Sequence, residues 1–499
     1  MPPHRRLLLG AACALATLAS AAGPAHASRV IVVAGDRAVE RDDPALASPA
    51  AASLGREAPR ATASLRARSS SARGRRAVGR ALTRALRTKR ISRSRYLSYR
   101  RIYAHARSVR RRLRGARGAQ LGYVISTVEG IALRGRLGAS RLPALFLELR
   151  RNTQFWPRRR YPAVGDFVSF RGSEIVFQHY AGRGLQIQVL ATFIKANRLN
   201  GACHKHTGPC QPSRLERLLD EMTALAVRRS KRFIAWEYMF EFGGGVPPWM
   251  SAMAQSTALQ AYARGAETLD RPDYLETARR ALGAFETPPP TGVRTRGFRG
   301  GVHYLQYSFA PGLYIFNAFT QSVLGLYDFG KLADDGRATR LFKEAEPELA
   351  REIPASDVGD WSRYSYRGRE STPPYHELLR EVLESMCVRR LGDLYCRYAT
   401  RYRNDQTKPA VLRFRGPETA QRRTLTAVSF ELSKLSAVEI SIYKGDHRAF
   451  HALDTFRRGR HAFYWKPRSA GEYRVRLSAK ELRTGRYLRS HTSGLIGVE

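Results

Sequence analysis

The sequence predicts a multidomain chain, mainly α-helical in its larger part and all-β at its end. Two patterns predict it. From about Leu121 to Arg403, apolar residues recur at three- and four-residue spacing between polar loops that carry Trp and Tyr. After about Arg403 the apolar period switches to two. A length of 499 residues is also too great for one ordinary core. The helical part reads as paired helices in a toroid or solenoid, with a small β-hairpin part before it; no fixed sequence period supports a strict repeat array. The β part reads as an immunoglobulin-like sandwich. The expected divisions are 1–27, 28–117, 118–402 and 403–499.

The first 27 residues, MPPHRRLLLGAACALATLASAAGPAHA, have a basic start, an apolar middle and the small-x-small end Ala25-His26-Ala27. This is the pattern of a secretory signal cleaved after Ala27. A membrane anchor competes, but the apolar run is short and diluted by Ala, Gly and Ser. No later segment is long and apolar enough to cross a bilayer. The expected location is therefore secreted or associated with the cell envelope.

Export makes the cysteines readable. Cys13 leaves with the signal, and Cys203, Cys210, Cys387 and Cys396 remain in an oxidising compartment. Local pairs Cys203–Cys210 and Cys387–Cys396 are the simplest connectivity. GACHKHTGPC also carries His204 and His206, which leaves a zinc site as the competing reading. No metal and no cofactor is expected.

The formal net charge is +44. Between Arg56 and Arg117 there are 22 basic residues against the single acid Glu57. Segment 28–117 reads as partly disordered or helical: the first part of Arg56–Arg117, rich in Ala, Ser and Arg, as disordered, and Ala77 to Leu113 as basic helices. An exported protein seldom meets nucleic acid, so none is expected as partner. An anionic envelope polymer and an arginine-rich solvated surface are the two remaining accounts.

In order along 118–402, SRLPALFLELRRNTQFW reads as a helix. DFVSFRGSEIVFQHY reads as a hairpin around Arg171-Gly172-Ser173, and GRGLQIQVLATFIKANRLNG as a helix entered through glycine. PSRLERLLDEMTALAVRR has Ser213 and Glu216 at capping-box spacing and the stripe Leu215, Leu218, Leu219, Met222, Leu225. WMSAMAQSTALQAYARGAE and DRPDYLETARRALGAFE follow as helices, the second capped by Asp270. His303 to Phe329 and PPYHELLREVLESMCVRR complete the series. In 403–499, TLTAVSFELS, AVEISIYKG and EYRVRLSAKE alternate, separated by Lys444-Gly445-Asp446 and Ala470-Gly471.

No nucleotide loop, zinc-protease helix or nucleophile elbow is present. The helical part instead places tyrosine near arginine and histidine: Tyr364 and Tyr366 sit beside Arg363, Arg367 and Arg369, Tyr375-His376 opens the next helix, and Tyr307 lies in the stretch His303 to Phe329. A phenol titrates near pH ~10, and a neighbouring guanidinium lowers that value. Arginine also grips a carboxylate with two parallel hydrogen bonds. Together these suit proton abstraction next to a carboxylate, which inverts C5 of a uronic acid or, with loss of the C4 substituent, eliminates. Against this, tyrosine on an apolar helix face is ordinarily core. Tyr314 and Tyr327 read as packing and Tyr307 as facing a cavity.

PPWMSAMAQSTALQAYARG, YSFAPGLYIFNAFTQSVLGLYDF, DVGDWSRYSYRGR and PPYHELL occur in the order seen in the C-terminal catalytic region of D-glucuronyl C5-epimerases, which this chain resembles over roughly Leu121 to Thr400. The resemblance implies an incomplete (α/α) toroid preceded by a smaller β-rich part. It implies catalytic roles for Tyr307, in the place of a family Glu-Tyr-Pro motif, Tyr364, of Ile-Tyr-Asp-Leu-Arg, and Tyr375, of Asp-Tyr-His. Arg367, His376 and Asn317 match an arginine, a histidine and an asparagine of the family motifs, and Trp249 and Gln255 would line sugar subsites. The chain departs from those motifs at Gln306, which replaces an acid, at Ser308 and at Ser365. The implied partner is an acidic, uronate-containing polysaccharide, with a homodimer as a further expectation. A uronate lyase on the same scaffold and an inactive glycan binder are the alternatives.

Overall fold

The computed structural model describes residues 28–46, 72–158, 160–205, 208–230 and 232–499. Residues 1–27, expected as a signal, and the stretch 47–71 lie outside the described residues.

Segment 28–117 begins with strands that the sequence reading did not assign, while the part of Arg56–Arg117 expected to be disordered lies largely outside the described residues. Strand β1 (Ser28–Ala34) pairs antiparallel with β2 (Arg37–Asp43) and parallel with β3 (Phe167–Phe170), which leads on to β4 (Phe177–Tyr180) and β5 (Gly184–Ile187). The run Val30-Ile31-Val32-Val33 explains the difference. Ile31 and Val33 enter the main core, while Val30 packs with Phe167, Val176 and Ala191 on the other side. A β-branched run buried on both faces belongs in a sheet. Charge pins its end: Asp43 and Glu174 share Lys195 (3.2 and 2.6 Å) and Arg214 (3.0 and 2.9 Å).

The expected basic helices are present as α1 (Ala72–Arg87) and α2 (Arg93–Arg112). With α3 (Gly115–Leu133) and α4 (Leu142–Phe155) they form a layer that packs through α3 and α4 on β5. The hairpin at 166–180 forms as β3–β4, but the next segment opens as β5 rather than as a helix. Asn152 causes this. Its side chain donates to the Leu185 carbonyl (2.7 Å) and accepts from the Leu185 N–H (2.8 Å), as a neighbouring strand would.

Helix α5 (Val189–Lys205) follows, then α6 (Pro212–Leu225), whose Leu215, Leu218, Leu219, Met222 and Leu225 are all buried as the stripe requires. No capping box forms. Pro212 takes the first helical position, and Glu216 pairs with Arg271 at 3.0 Å. The short ribbon β6 (Val227–Arg228) and β7 (Ile234–Ala235) leads to α7 (Ala252–Leu269). Asp270 closes α7 in the left-handed region (φ 53°) instead of opening α8 (Asp273–Ala281).

The stretch His303–Phe329 is not one helix. It begins in β9 (Val302–Tyr304), paired with β8 (Arg294–Arg296), crosses a loop containing Pro311-Gly312, and becomes helical only at α9 (Phe316–Leu332). Tyr307 therefore sits on a loop. Helices α10 (Gly336–Glu352), α11 (Pro373–Val388) and α12 (Asp393–Asp405) complete the region. Helix α7 is buried along nearly its whole length and packs on α5, α6, α8 and α9, and α9 packs in turn on α10 and α11.

The α7–α9 crossing is close because Gly325 has no side chain. A Cβ there would lie 2.6 Å from Ser256 Cβ and 2.7 Å from the Ser256 carbonyl oxygen. Gly325→Ala is expected to cost about 1–3 kcal/mol, the usual overpacking range, as a fall in the denaturation midpoint. An unchanged midpoint would contradict the close crossing.

The local disulfides Cys203–Cys210 and Cys387–Cys396 are formed. The first consumes the thiols a zinc site would need. His204 is hydrogen-bonded to Thr268 (2.7 Å), and His206 lies outside the described residues.

The C-terminal strands form two sheets around one core. One holds β10 (Leu412–Phe414), β12 (Thr426–Leu432) and β15 (Gly459–Trp465). The other holds β11 (Thr419–Ala420), β17 (Arg489–Val498), β16 (Gly471–Glu481), β13 (Ser436–Lys444) and β14 (His447–Phe456). The alternating residues point inward as expected, including Val428, Phe430, Val438, Ile440, Val475 and Leu477. Buried Lys434 joins this unit to α12 by donating to the carbonyls of Asp405 (2.6 Å) and Lys408 (2.7 Å). No helix among the described residues is long and apolar enough to cross a membrane.

Candidate active site

Tyr364 lies on an extended loop docked against the start of α9. The Phe316 N–H donates to the Tyr364 carbonyl (3.2 Å), Tyr364 N–H to Arg369 (3.0 Å), and Tyr366 N–H to Tyr314 (2.9 Å). Tyr375 occupies the first turn of α11, behind the Pro373-Pro374 pair that starts this helix. The two rings meet with centroids 4.9 Å apart. Tyr307 reaches the same region along the start of α7, where Ser308 N–H donates to the Met250 carbonyl (3.0 Å) and Ala252 N–H to Leu305 (3.0 Å). Its ring stacks on Phe309 (5.4 Å) and meets Trp249 edge-on (5.7 Å).

A fourth tyrosine joins these groups. Tyr180, at the end of β4, has its hydroxyl pKa raised by burial and further by the nearby phenols of Tyr238, Tyr307 and Tyr375. It donates to Gln178 Oε1 (2.7 Å) and accepts from Gln188 Nε2 (3.2 Å), and the Tyr238 hydroxyl donates to Gln188 Oε1 (3.0 Å). Burial, against the opposing pull of these hydrogen bonds, keeps Tyr180 and Tyr238 neutral. The network fixes the Tyr180 hydroxyl near Tyr307 and Tyr375, and Tyr307, Tyr364 and Tyr375 are themselves 2%, 5% and 8% exposed.

The expected substrate ligands divide differently. Trp249 is buried, stacked on Tyr238 (4.4 Å), and donates its indole N–H to the Phe240 carbonyl (2.8 Å), so it backs Tyr307 rather than presenting a face to sugar. Gln255 is fully buried and pairs both ways with the Trp236 backbone (3.0 and 2.9 Å). Gln306 accepts from the Ser251 hydroxyl (3.0 Å), which in turn caps α7 at the Ala254 N–H (3.1 Å). His376 is fully buried and stacked on Trp361 (3.7 Å). Its Nδ1 accepts from the Ser362 N–H (3.2 Å) and its Nε2 lies 2.9 Å from the Tyr402 carbonyl, so neither nitrogen remains for a ligand. These four side chains hold the walls of the site. Asn317 is buried in the first turn of α9. Arg367 is exposed, with its guanidinium 5.2 Å from the ring centre of Tyr366 rather than buried among the three phenols. Tyr314 and Tyr327 pack as expected, against Phe298 (5.6 Å) and Phe342 (5.2 Å).

Comparison with known proteins finds a family match over part of the chain. Residues 229–404 match the family model described as D-glucuronyl C5-epimerase C-terminus. Over that stretch the chain is similar to the D-glucuronyl C5-epimerase family. It is 29% identical over 133 residues to the D-glucuronyl C5-epimerase of Caenorhabditis elegans, covering 24% of this chain and 22% of that protein. It is 27% identical over 190 residues to an uncharacterized protein of Methanocaldococcus jannaschii, covering 37% of this chain and 62% of that protein. The chain thus spans less than two thirds of the length of each of these relatives.

Tyr307, Tyr364 and Tyr375 all fall within the epimerase-family stretch, whereas Tyr180, Gln178 and Gln188 lie before it. Sequence reasoning missed these three. The available signal was glutamine and tyrosine interrupting the apolar residues of FQHY and GLQIQ, positions that a buried strand tolerates only when they are hydrogen-bonded.

His376 gives the epimerase-family stretch a pH dependence. Burial holds its pKa at about 4, below the ordinary 6.5. The unfolded chain therefore takes up a proton first as pH falls. The contribution to stability is complete above pH 6.5 and is lost between 6.5 and 4, on the order of 3 kcal/mol. His376→Gln is expected to flatten the fall of melting temperature over that window. His303, held to about 3 by its own burial, leaves a residual slope of the same sign. A variant that kept the full wild-type slope would show that His376 is not the group responsible.

Proposed function

We propose that this protein inverts C5 of uronic acid residues in an acidic polysaccharide, with proton transfer carried by Tyr307, Tyr364 and Tyr375. The observation that carries the proposal is their convergence. Tyr364 and Tyr375 are in ring contact, and Tyr307 and Tyr375 both flank the hydroxyl of Tyr180. One phenolate takes the C5 proton, and the electron pair of the broken C–H bond passes into the carboxylate as an enolate. A phenol on the opposite face then returns a proton to C5. Nothing is gained or lost in composition, and each turnover exchanges the protonation states of the two phenols.

Gln306 has no basic atom to offer and is engaged by Ser251, so the acid–base work falls to the phenols. Tyr180 stays neutral and orients rather than abstracts. The scant exposure of the three rings supports a water-poor reaction centre, where a phenolate and an enolate interact strongly with fixed dipoles. Exposed Arg367 suits the substrate carboxylate at the margin of the site.

The helix pairing around α7 and α9 supports the toroid reading, and the two-sheet C-terminal unit supports an immunoglobulin-like accessory domain. The two disulfides support an exported protein. Incubation with a glucuronate polymer, followed by NMR of the recovered polymer, is expected to show iduronate. Unsaturated uronate ends alone would indicate a lyase, and unaltered polymer that stays bound would indicate a binder.

A further inference from the structure

Helix α1 carries Arg73, Arg76, Arg80, Arg84 and Arg87. Steps of three and four residues place all five on one side of the helix, along about 21 Å of its length, and all five are exposed. The opposite side is spent on packing. Ala77, Val78, Leu82 and Ala85 are buried, and Gly74 lies so near α3 that a Cβ would come within 2.6 Å of Glu129 Oε2. The arginine row is therefore the outer surface of the layer whose inner side packs on β5.

Several arginines of the helical core, by contrast, are matched to carboxylates. Arg141 and Arg229 hold Glu237, Arg264 and Arg389 hold Asp328, and Arg337 holds Glu286. Among the described residues none of the five on α1 has an ion pair, and residues 72–117 contain no acid. Like charges four apart on a helix repel one another. Five exposed arginines in register along one side of a helix, none of them in an ion pair, make a continuous cationic face.

We infer that the outer face of α1 is a docking surface for a linear, carboxylate- or sulfate-bearing polysaccharide. This rests on the proposed function for the identity of the polymer and extends it to a second contact outside the tyrosine site. The guanidinium fork matches carboxylate and sulfate oxygens. The row carries no aromatic ring on which nucleic-acid bases would stack. It carries no outward apolar face to enter a bilayer, since that side of α1 is already buried. A straight cationic row suits a linear polyanion whose charges repeat along its length.

The test compares the full chain with its R76Q/R80Q/R84Q/R87Q variant on long heparosan, a heparosan tetrasaccharide, duplex DNA and phosphatidylglycerol vesicles. Long heparosan is expected to bind the wild type in a salt-sensitive way. By counterion release, the slope of log K against log salt should be about three units shallower in the variant, with affinity at least tenfold lower at moderate salt. The corresponding four-lysine variant keeps the charge and is expected to keep the slope, which separates charge from misfolding. C5 exchange on the tetrasaccharide should be the same in all three proteins.

Equal slopes for wild type and glutamine variant would overturn the inference. So would tighter binding of DNA or vesicles than of heparosan. If the wild type exchanges no C5 proton yet holds heparosan through these arginines, the epimerase proposal falls and the docking surface stands.

Discussion

Tyr364→Phe is expected to lower the turnover of uronate inversion by roughly 10²–10⁴-fold, the usual range for loss of a positioned acid–base group. The substitution removes one oxygen and keeps the ring that meets Tyr375 at 4.9 Å. The fold and the KM should therefore change little, and the loss should fall on kcat. Tyr375→Phe should show a comparable deficit, and the double variant far less than the product of the two, because the phenols act as one unit. If Tyr364→Phe kept wild-type turnover, the proton would be moving through some other group, and the role given to the loop before α11 would be wrong.

The largest stability effect is expected at Glu237. Its carboxylate has no exposure and accepts two bonds from Arg141 (2.7 and 2.9 Å) and one from Arg229 (2.5 Å). Arg141 stands just before α4, Arg229 beside the β6–β7 ribbon, and Arg229 also donates to the Thr291 carbonyl (2.7 Å). One carboxylate thus ties three distant segments. Glu237→Ala leaves two guanidiniums with little solvent and no counter-charge, which costs about 3–5 kcal/mol for a broken buried pair. Arg340→Ala, which breaks an exposed pair with Glu286 (3.2 Å), is expected to cost under about 1 kcal/mol. Denaturant titration of the two variants reads the difference. Equal, small losses would mean that the Glu237 cluster is far better hydrated than its burial indicates.

The parts of the fold legible in the sequence were those whose signal is local. The α6 stripe, the α11 segment and the inward alternation of β12, β13 and β16 each follow from residues a few positions apart. Strand β1 was missed because its partner β3 is remote in sequence and its flanking arginines masked a short buried run. The stretch around Tyr307 was misread because its apolar density hid a break at Pro311-Gly312. At the site, the three tyrosines were proposed through motif resemblance, since spacing alone does not bring residues 307 and 375 together. Trp249 and Gln255 were placed at the substrate because their chemistry suits sugars, and His376 because it matches a motif histidine. Whether a side chain faces a ligand or its own backbone is settled by tertiary packing, which left all three supporting the wall. Tyr180 went unseen for the same reason, its neighbours arriving from other segments.

The central claim is that these phenols exchange the proton at C5 of a polymer-bound uronate. The direct measurement is incubation of the full chain with a glucuronate polymer in deuterium oxide, followed by NMR and mass analysis of the recovered sugars. The account predicts deuterium at C5 in both the glucuronate and the iduronate that forms, and none with Tyr364→Phe. A panel of uronate polymers recovered without deuterium at C5, from protein shown to be folded, would contradict it.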